Sequence, residues 1–219
     1  MKSNNLSFKI FKKIVYFLFG NKLFFILLRN LTLKMTLKKI FVVNYHNTYG
    51  KFKKNFEWQI NFFEKYFTII NFNDLKKMNK SKIATAKKPF LLITFDDGHK
   101  SNFEMTKEIL DPKKIKAIFF IPPNFINYAW PKDIKKQCLI STNKFNIPCI
   151  SKYEIQDKKN GVYMPWNEII KLKKSGHTIG CHGMNHIRLS KKLSKVQLYD
   201  EIFKSKYFLE KKLKIKIES

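Results

Sequence analysis

The sequence lacks the features that mark several common classes of protein. Its three cysteines, Cys138, Cys149 and Cys181, form no C-x-x-C pair and no even-numbered framework, although a disulfide between Cys138 and Cys149 stays open. No apolar run reaches the roughly 20 residues that a membrane-spanning helix needs. The chain also has no glycine-rich phosphate loop, dinucleotide fingerprint or Ser/Cys triad signature. These absences exclude the commonest nucleotide-binding and triad-hydrolase patterns.

Arginine is scarce although the chain is strongly basic. The formal net charge is +28, yet Arg29 and Arg188 are the two arginines among 44 basic residues. Proteins that bind bases and phosphates favour the planar guanidinium group of arginine. The lysine excess therefore indicates the coding bias of an AT-rich genome or a weak attraction to anionic lipid or glycan. We expect no nucleic-acid partner.

Acidic residues are absent from the beginning of the chain until Glu57. Two short apolar runs lie between residues 14 and 28, and no small-residue cleavage site follows them. This composition predicts a basic amphipathic segment over residues 1–38, with residues 1–33 lying on an anionic membrane surface. The alternatives are an ordinary amphipathic helix that covers the domain and an uncleaved signal anchor. The expected location is cytoplasmic or peripheral at the inner face of the membrane, with envelope anchoring as the alternative.

Strand and helix patterns alternate along residues 39–219, which we predict to form one catalytic domain. Short apolar runs predict strands at 40–45, 67–71, 91–95, 116–121 and 178–181. Apolar spacings of three and four predict helices that include 101–110, 166–174 and 194–213. This alternation favours an α/β domain with a largely parallel sheet. Residues 127–164 show no sustained period and are predicted to be a long loop or an insertion.

Two adjacent acids, Asp96 and Asp97, end the clearest predicted strand and are followed by Gly98. The carboxyl ends of strands are where α/β folds gather ligand and catalytic groups. Neighbouring carboxylates repel each other, and a cation would relieve that repulsion. A helix N-cap role for Asp97 or a solvated turn is the alternative.

A pair of histidines, His182 and His186, follows another predicted strand end. If the segment is helical, this spacing brings both rings to one face, as in many zinc sites. Strand ends of a barrel or a doubly wound sheet meet in space. Two imidazoles and one carboxylate would then form a three-ligand site with an open position, and the second carboxylate would remain to take a proton.

These residues lie in stretches that resemble the motifs of a known family. Residues 92–98, Leu-Ile-Thr-Phe-Asp-Asp-Gly, look like the first motif of the polysaccharide deacetylase family, the NodB homology domain of the carbohydrate esterase type. Residues 176–186 resemble its second motif, and residues 117–121 resemble the strand between them. The resemblance spans about residues 40–215. It implies an α/β fold, a distorted (β/α)7-type barrel that is incomplete at the C-terminus.

The resemblance implies a role for each residue of the two motifs. Asp96 would be the general base, and Asp97, His182 and His186 would hold a divalent metal, zinc first, with cobalt or another divalent ion as the alternative. The implied enzyme is a hydrolase acting on carbon–nitrogen bonds other than peptide bonds. It would remove an acetyl group from an N-acetylated glycan or glycolipid sugar, with the metal polarising the carbonyl and Asp96 accepting a proton from water.

The chain departs from the family pattern in three places. Cys181 and Gly183 stand where the family usually has Asn and a hydroxyl residue, and Gly183 removes a hydroxyl that could support the site. The family's third motif and its proton-donating histidine do not follow His186. The resemblance therefore implies a partial domain with weak turnover. The alternatives are a remnant that binds metal or glycan without turnover, and a basic membrane-surface protein.

Three further residues are candidates for the substrate groove. His46 follows the first predicted strand, His99 follows the acid doublet, and Trp166 could stack on a sugar ring. A hydrogen-bonded structural histidine, an exposed loop residue and a core aromatic are the respective alternatives. His177 is predicted to be structural.

Overall fold

A computed structural model describes residues 39–48, 52–128, 163–190 and 193–218. Within these residues, five parallel strands form one sheet flanked by helices. The elements in chain order are β1 (Ile40–Tyr45), α1 (Lys53–Tyr66), β2 (Thr68–Ile70), α2 (Phe72–Lys76), α3 (Lys80–Ala84), β3 (Phe90–Phe95), α4 (Lys100–Met105), β4 (Ile118–Ile121), α5 (Pro123–Tyr128), α6 (Trp166–Lys174), β5 (Thr178–Cys181), α7 (Lys195–Tyr199) and α8 (Ser205–Leu213). The predicted α/β class with a parallel sheet is confirmed.

The strand β3 is the centre of the sheet. It pairs with β1 along its whole length, with β2 near its beginning and with β4 near its end, and β5 pairs with β4. All six of its side chains are buried. They alternate between a large core cluster, which holds Leu91, Ile93 and Phe95, and a smaller one, which holds Phe90 and Leu92. This two-sided burial explains why the strand is apolar without interruption.

The strand register brings four carboxyl ends to the same edge of the sheet. Tyr45 pairs with Phe95, Phe95 pairs with Phe119, and Ile121 pairs with Cys181. The backbone N–H of Asp96 donates to the Tyr45 carbonyl at 2.8 Å, and that of His182 donates to the Ile121 carbonyl at 3.3 Å. His46, Asp96 and His182, which directly follow β1, β3 and β5, therefore lie at the same edge of the sheet.

Several predicted elements have their predicted bounds. The strands at 40–45 and 178–181 and the helix at 166–174 are confirmed residue for residue. The predicted helix at 101–110 is α4 followed by a π-helical segment, Thr106–Leu110, and the one at 194–213 is α7 and α8 joined by a second π-helical segment, Asp200–Lys204. The side chain of Ser194 caps α7 by accepting from the Gln197 N–H at 3.2 Å.

Some predictions fall outside the described residues. They concern the segment 1–38, nearly all of the loop or insertion at 127–164, and the pair Cys138 and Cys149. Among the helices that the structure describes, none is long and apolar enough to cross a membrane.

Candidate metal centre

The turn after β3 aims both carboxylates at one place. Asp97 and Gly98 have φ of 68° and 70°, in the left-handed region that few residues other than glycine adopt. Space is tight as well, because a Cβ on Gly98 would lie 3.1 Å from the Ile126 side chain. Two consecutive left-handed residues break the alternation of the strand. The carboxylates can therefore approach the same histidines, although neighbouring residues of a strand point to opposite faces.

The segment that carries His182 and His186 is an irregular loop rather than a helix. Gly183 has φ of 75° and His186 has φ of 56°, and a right-handed helix accommodates neither value. The loop nevertheless brings the two rings together, with centroids 4.7 Å apart.

The three predicted ligands converge. Oδ1 of Asp97 lies 3.5 Å from Nε2 of His182 and 3.4 Å from Nε2 of His186. One ligand atom from each residue lies within 4.8 Å of the others. Burial lowers the pKa of His182 although Asp96 and Asp97 act in the opposite direction. A lowered pKa favours the neutral imidazole, which is the form that binds a metal.

A second observation also indicates that these three side chains fit a divalent metal. Oδ1 of Asp97 and Nε2 of His182 are buried and have no hydrogen-bond partner among the residues that the structure describes. Buried polar atoms are paired in the great majority of cases, and leaving one unpaired costs on the order of 1–3 kcal/mol. A cation between the carboxylate and the two imidazoles would satisfy both atoms. Two imidazoles and one carboxylate are also the ligands of many catalytic zinc sites.

Asp96 lies beside this trio and is held by a different partner. Its Oδ2 accepts a hydrogen bond of 2.7 Å from the side-chain amide of Asn44 and lies 3.8 Å from Nε2 of His182. The hydroxyl of Thr94 donates to the amide oxygen of Asn44 at 3.0 Å, which fixes the orientation of that amide. Sequence reasoning missed Asn44. Its signal was a polar residue inside an otherwise apolar strand.

The two other histidines near the carboxylates differ in which carboxylate they approach and in their exposure to solvent. Nε2 of His46 is 3.8 Å from Oδ2 of Asp96, and 60% of its side chain is exposed. Nε2 of His99 is 3.8 Å from Oδ2 of Asp97, but this ring is mostly buried and stacks on Tyr163 at 5.2 Å. Both lie within reach of the site, and their contact with substrate stays a prediction.

Trp166, the third groove candidate, lies in a contact between helices. Its ring is 5.8 Å from that of Phe208, and Nζ of Lys212 lies 5.6 Å from its centroid. These contacts join α6 to α8. A role for Trp166 in substrate binding stays a prediction.

A buried carboxylate organises the histidine loop. Glu201 is 2% exposed, and its two oxygens accept the backbone N–H of Asn185 at 3.0 and 3.1 Å and the Asn185 side-chain amide at 2.7 Å. A Cβ on Gly183 would lie 2.5 Å from Oε2 of this carboxylate. The departure at Gly183 therefore has a steric reason, since Glu201 occupies the space of a side chain. The sequence showed Glu201 merely as one position of a helix pattern.

The departure at Cys181 has a local explanation too. Its Sγ lies 2.9 Å from the hydroxyl oxygen of Ser205, which joins the end of β5 to α8. Cys181 is not one of the three clustered ligands that the described residues provide.

A cleft opens beside the two histidines. Its volume is about 680 Å³, which is enough for a small-molecule or sugar-sized group. The residues that line it include His182, His186, Arg188, Leu189, Ile202 and Lys206.

Comparisons with known proteins concern the family and the fold of the chain. Residues 83–218 match the family model described as polysaccharide deacetylase. No curated protein sequence matches the chain.

Three solved structures illustrate the structural likeness. IcaB from Ammonifex degensii has a TM-score of 0.56 at 13% identity, and the match covers 82% of this chain and 70% of IcaB. The Streptococcus pyogenes deacetylase PplD, solved with acetate, has a TM-score of 0.55 at 14% identity, with 82% and 70% covered. A polysaccharide deacetylase from Bacillus cereus has a TM-score of 0.51 at 20% identity, with 82% and 48% covered. At these identities the likeness concerns the fold, and it confirms the predicted α/β fold of the (β/α)7-barrel deacetylase kind.

Proposed function

Because the chain belongs to the polysaccharide deacetylase family, we propose that it is a metal-dependent hydrolase that removes N-acetyl groups from a glycan or glycolipid sugar. The observation that carries the proposal is the pair of unpartnered buried atoms, Oδ1 of Asp97 and Nε2 of His182, beside Nε2 of His186. Zinc is the ion that this donor set suits best, although cobalt and other divalent ions accept the same ligands.

The proposed chemistry divides the two carboxylates. Asp97, His182 and His186 would hold a divalent metal, which would supply Lewis-acid polarisation of the acetyl carbonyl and a lower pKa for the attacking water. Asp96 accepts the proton of that water as it adds to the carbonyl carbon. Support comes from the position of Asp96 next to the ligand cluster and from Asn44, which holds its Oδ2 at 2.7 Å.

We assign the second proton transfer, to the departing amine, to His46. The other four histidines have different partners. His182 and His186 belong to the ligand trio, His177 is fully buried against Asp111, and His99 is mostly buried against Tyr163. His46 is 60% exposed and lies 3.8 Å from Asp96, so it can reach substrate above the carboxylates. The family resemblance implied a donor after His186, whereas His46 follows β1 and precedes both acids in the chain.

The proposed partners are the substrate and a membrane surface. The substrate is an N-acetylated glycan or glycolipid, and we propose that the basic segment 1–33 holds the chain on an anionic membrane surface. The location is then cytoplasmic or at the inner face of the membrane, with envelope anchoring as the alternative. The division into a segment 1–38 and a catalytic domain 39–219 is part of this proposal.

The test is release of free amine from N-acetylglucosamine oligomers by the full chain supplied with Zn²⁺. We expect turnover by the unaltered chain and a loss of about 10²–10⁴-fold in Asp96→Asn, with its metal content unchanged. His46→Gln should lose about 10²-fold by the same reasoning. A chain that binds one ion and releases no amine would be a metal-binding remnant, and one that binds no ion would contradict the proposal altogether.

A further inference from the structure

Five large apolar side chains are exposed on the helical stretch 195–213. Ile202 lines the cleft beside the histidines, and the other four project from another side of the helix. We call these four side chains the aromatic face, after the three rings among them. Their exposed fractions are 70% for Val196, 59% for Tyr199, 61% for Phe203 and 65% for Tyr207. They follow one another at spacings of three and four, so they lie on one side of the helix. The rings of Tyr199 and Phe203 stack on each other with centroids 5.6 Å apart.

The opposite side of the same stretch already anchors it to the domain. Glu201, Ser205 and Leu209 are buried there, at 2%, 0% and 0% exposure. The aromatic face is therefore not the core-facing side of the helix. Large apolar side chains in a contiguous exposed row usually mark a surface that binds something.

Lysines flank the aromatic face on both sides. Helical spacing puts Lys195 and Lys206 along one flank and Lys204 and Lys211 along the other, and all four are exposed. Of the three acids in residues 195–213, all of which the structure describes, one pairs with a flanking lysine and two are engaged away from the aromatic face. Asp200 pairs with Lys204 at 3.4 Å, Glu201 is buried in the histidine loop, and Glu210 accepts the Ile217 N–H at 3.0 Å.

We propose that the aromatic face docks on an anionic lipid bilayer. Aromatic rings sit favourably at the level of the lipid headgroups, and lysines on both flanks can extend to the lipid phosphates. A neutral N-acetylated glycan could stack on the rings but would leave the lysines unused. A second copy of this chain would bring the same lysines face to face, and their like charges would repel.

The docking has a consequence for the cleft. Ile202 and Lys206 belong to the same helical stretch and line the cleft beside His182 and His186. A docked chain would therefore hold the cleft near the bilayer surface, where a lipid-linked sugar lies. This consequence rests on the proposed function, whereas the docking itself does not.

The experiment is sedimentation of the full chain with two kinds of vesicle, pure phosphatidylcholine and an equal mixture with phosphatidylglycerol. We expect binding to the anionic vesicles that salt weakens, and at least about tenfold weaker binding in Tyr199→Ser/Phe203→Ser/Tyr207→Ser. The matched control is Trp58→Ser, which removes an aromatic side chain that is 66% exposed on α1, and its binding should stay unchanged.

A second set of variants tests the lysines. Lys195→Gln/Lys204→Gln/Lys206→Gln/Lys211→Gln should weaken anionic binding about tenfold or more. The control, Lys54→Gln/Lys80→Gln/Lys82→Gln/Lys87→Gln, removes four exposed lysines of another region and should have a smaller effect.

Three outcomes would overturn the proposal. Unchanged binding of the triple serine variant would assign the vesicle binding to residues 1–33 alone. Equal losses in the variants and their controls would show a general charge effect. If the chain self-associates in the absence of vesicles and the serine substitutions abolish this association, the aromatic face is an interface between copies of the chain. If circular dichroism shows that the triple variant is misfolded, Phe203→Ser alone is measured instead.

Discussion

The strand β5 has a histidine before its first residue and another after its last, and the two have opposite environments. The ring of His177 has a partner at each nitrogen, since Nδ1 accepts the Ala117 N–H at 3.1 Å and Nε2 lies 2.9 Å from Asp111. Nε2 of His182, in contrast, is buried without a hydrogen-bond partner among the described residues and lies 3.5 Å from Oδ1 of Asp97. Burial lowers the pKa of both histidines.

The two ends of one strand therefore differ in kind: one carries a closed hydrogen-bond network and the other an open cluster of polar atoms. At the beginning of β5, Asp111 also accepts from Lys107 and Lys116, and a closed network results. At the end of β5, polar atoms converge and remain unpaired. A closed network contributes to stability, whereas an unpaired cluster costs stability unless a ligand satisfies it. The predictions that follow change one end of the strand and leave the other intact.

The largest effect is expected from His182→Ala at the end of the strand. Zn²⁺ affinity should fall by more than about 100-fold, because a ligand is lost rather than one of its supporting groups. The free energy of unfolding of the metal-free protein should not fall as it does at His177, since the side chain makes no hydrogen bond through Nε2. Calorimetric titration with Zn²⁺ measures the first quantity and urea unfolding the second. Unchanged Zn²⁺ affinity would remove His182 from the ligand set.

The reverse result is expected from His177→Ala at the beginning of the strand. Two buried hydrogen bonds are lost and Asp111 loses one of its donors, so the free energy of unfolding should fall by about 2–3 kcal/mol. Zn²⁺ affinity should stay close to that of the unaltered chain. Urea unfolding and calorimetry again provide the two readouts. A variant that loses metal but keeps its stability would contradict the division between the two ends.

A smaller effect on metal binding is expected from Gly183→Ala, which replaces no proposed ligand. The new Cβ would collide with Oε2 of Glu201, and the alanine backbone would have to adopt the φ of 75° that Gly183 has. Disturbing the support of a metal ligand typically costs 10–100-fold in affinity, and we expect a loss of about that size. Glu201→Ala in the same chain removes the collision but also the acceptor of the Asn185 N–H, so it should restore part of the affinity at most. An unaltered Zn²⁺ affinity in Gly183→Ala would contradict the steric account.

The smallest effect concerns pH. Burial lowers the pKa of His177 below its ordinary value of 6.5, so below pH 6.5 the unfolded chain binds a proton that the folded chain refuses. Stability from this group is therefore present above pH 6.5 and lost as the pH falls towards the folded-state pKa, by at most about 1.4 kcal/mol per pH unit. His182 acts in the same direction, so the comparison is between the unaltered chain and His177→Gln.

Urea unfolding of the metal-free proteins at pH 7 and pH 5 measures this difference. The fall in stability between the two pH values should be smaller in His177→Gln than in the unaltered chain. Asp111 does not interfere in that range. Burial acts to raise its pKa, but hydrogen bonds from Lys107, His177 and Lys116 outweigh burial and lower it to about 2, so its contribution is lost only below its ordinary pKa of 3.8. An equal fall in both proteins would mean that His177 is not the titrating group.

Local pattern was enough to predict the bounds of three elements. The strands at 40–45 and 178–181 and the helix at 166–174 follow from runs and periods of a few residues, which short-range sterics and burial determine. The motif residues Asp96, Asp97, His182 and His186 could likewise be assigned to one site, because their order and flanking residues resemble one family. Whether the histidine pair lies on a helix or on a loop was left open, because spacing does not reveal a left-handed backbone at Gly183 and His186.

Residues that act through partners distant in the chain could not be predicted. Asn44 and Asp96 are 52 residues apart, and Glu201 reaches Asn185 across 16 residues, so neither contact leaves a local pattern. His46 was named from the sequence as a groove candidate, but its approach to Asp96 at 3.8 Å depends on the pairing of β1 with β3.

The sequence by itself determined the α/β class, the family and the four residues of the two motifs, because these depend on side-chain type and short spacing. The tertiary structure alone decided which polar atoms find partners. It joined His177 to Asp111 at one end of β5 and left Nε2 of His182 unpaired against Asp97 at the other. The physical reason is that parallel pairing brings separate strand ends to one edge, so that residues far apart in the chain share one buried, polar space.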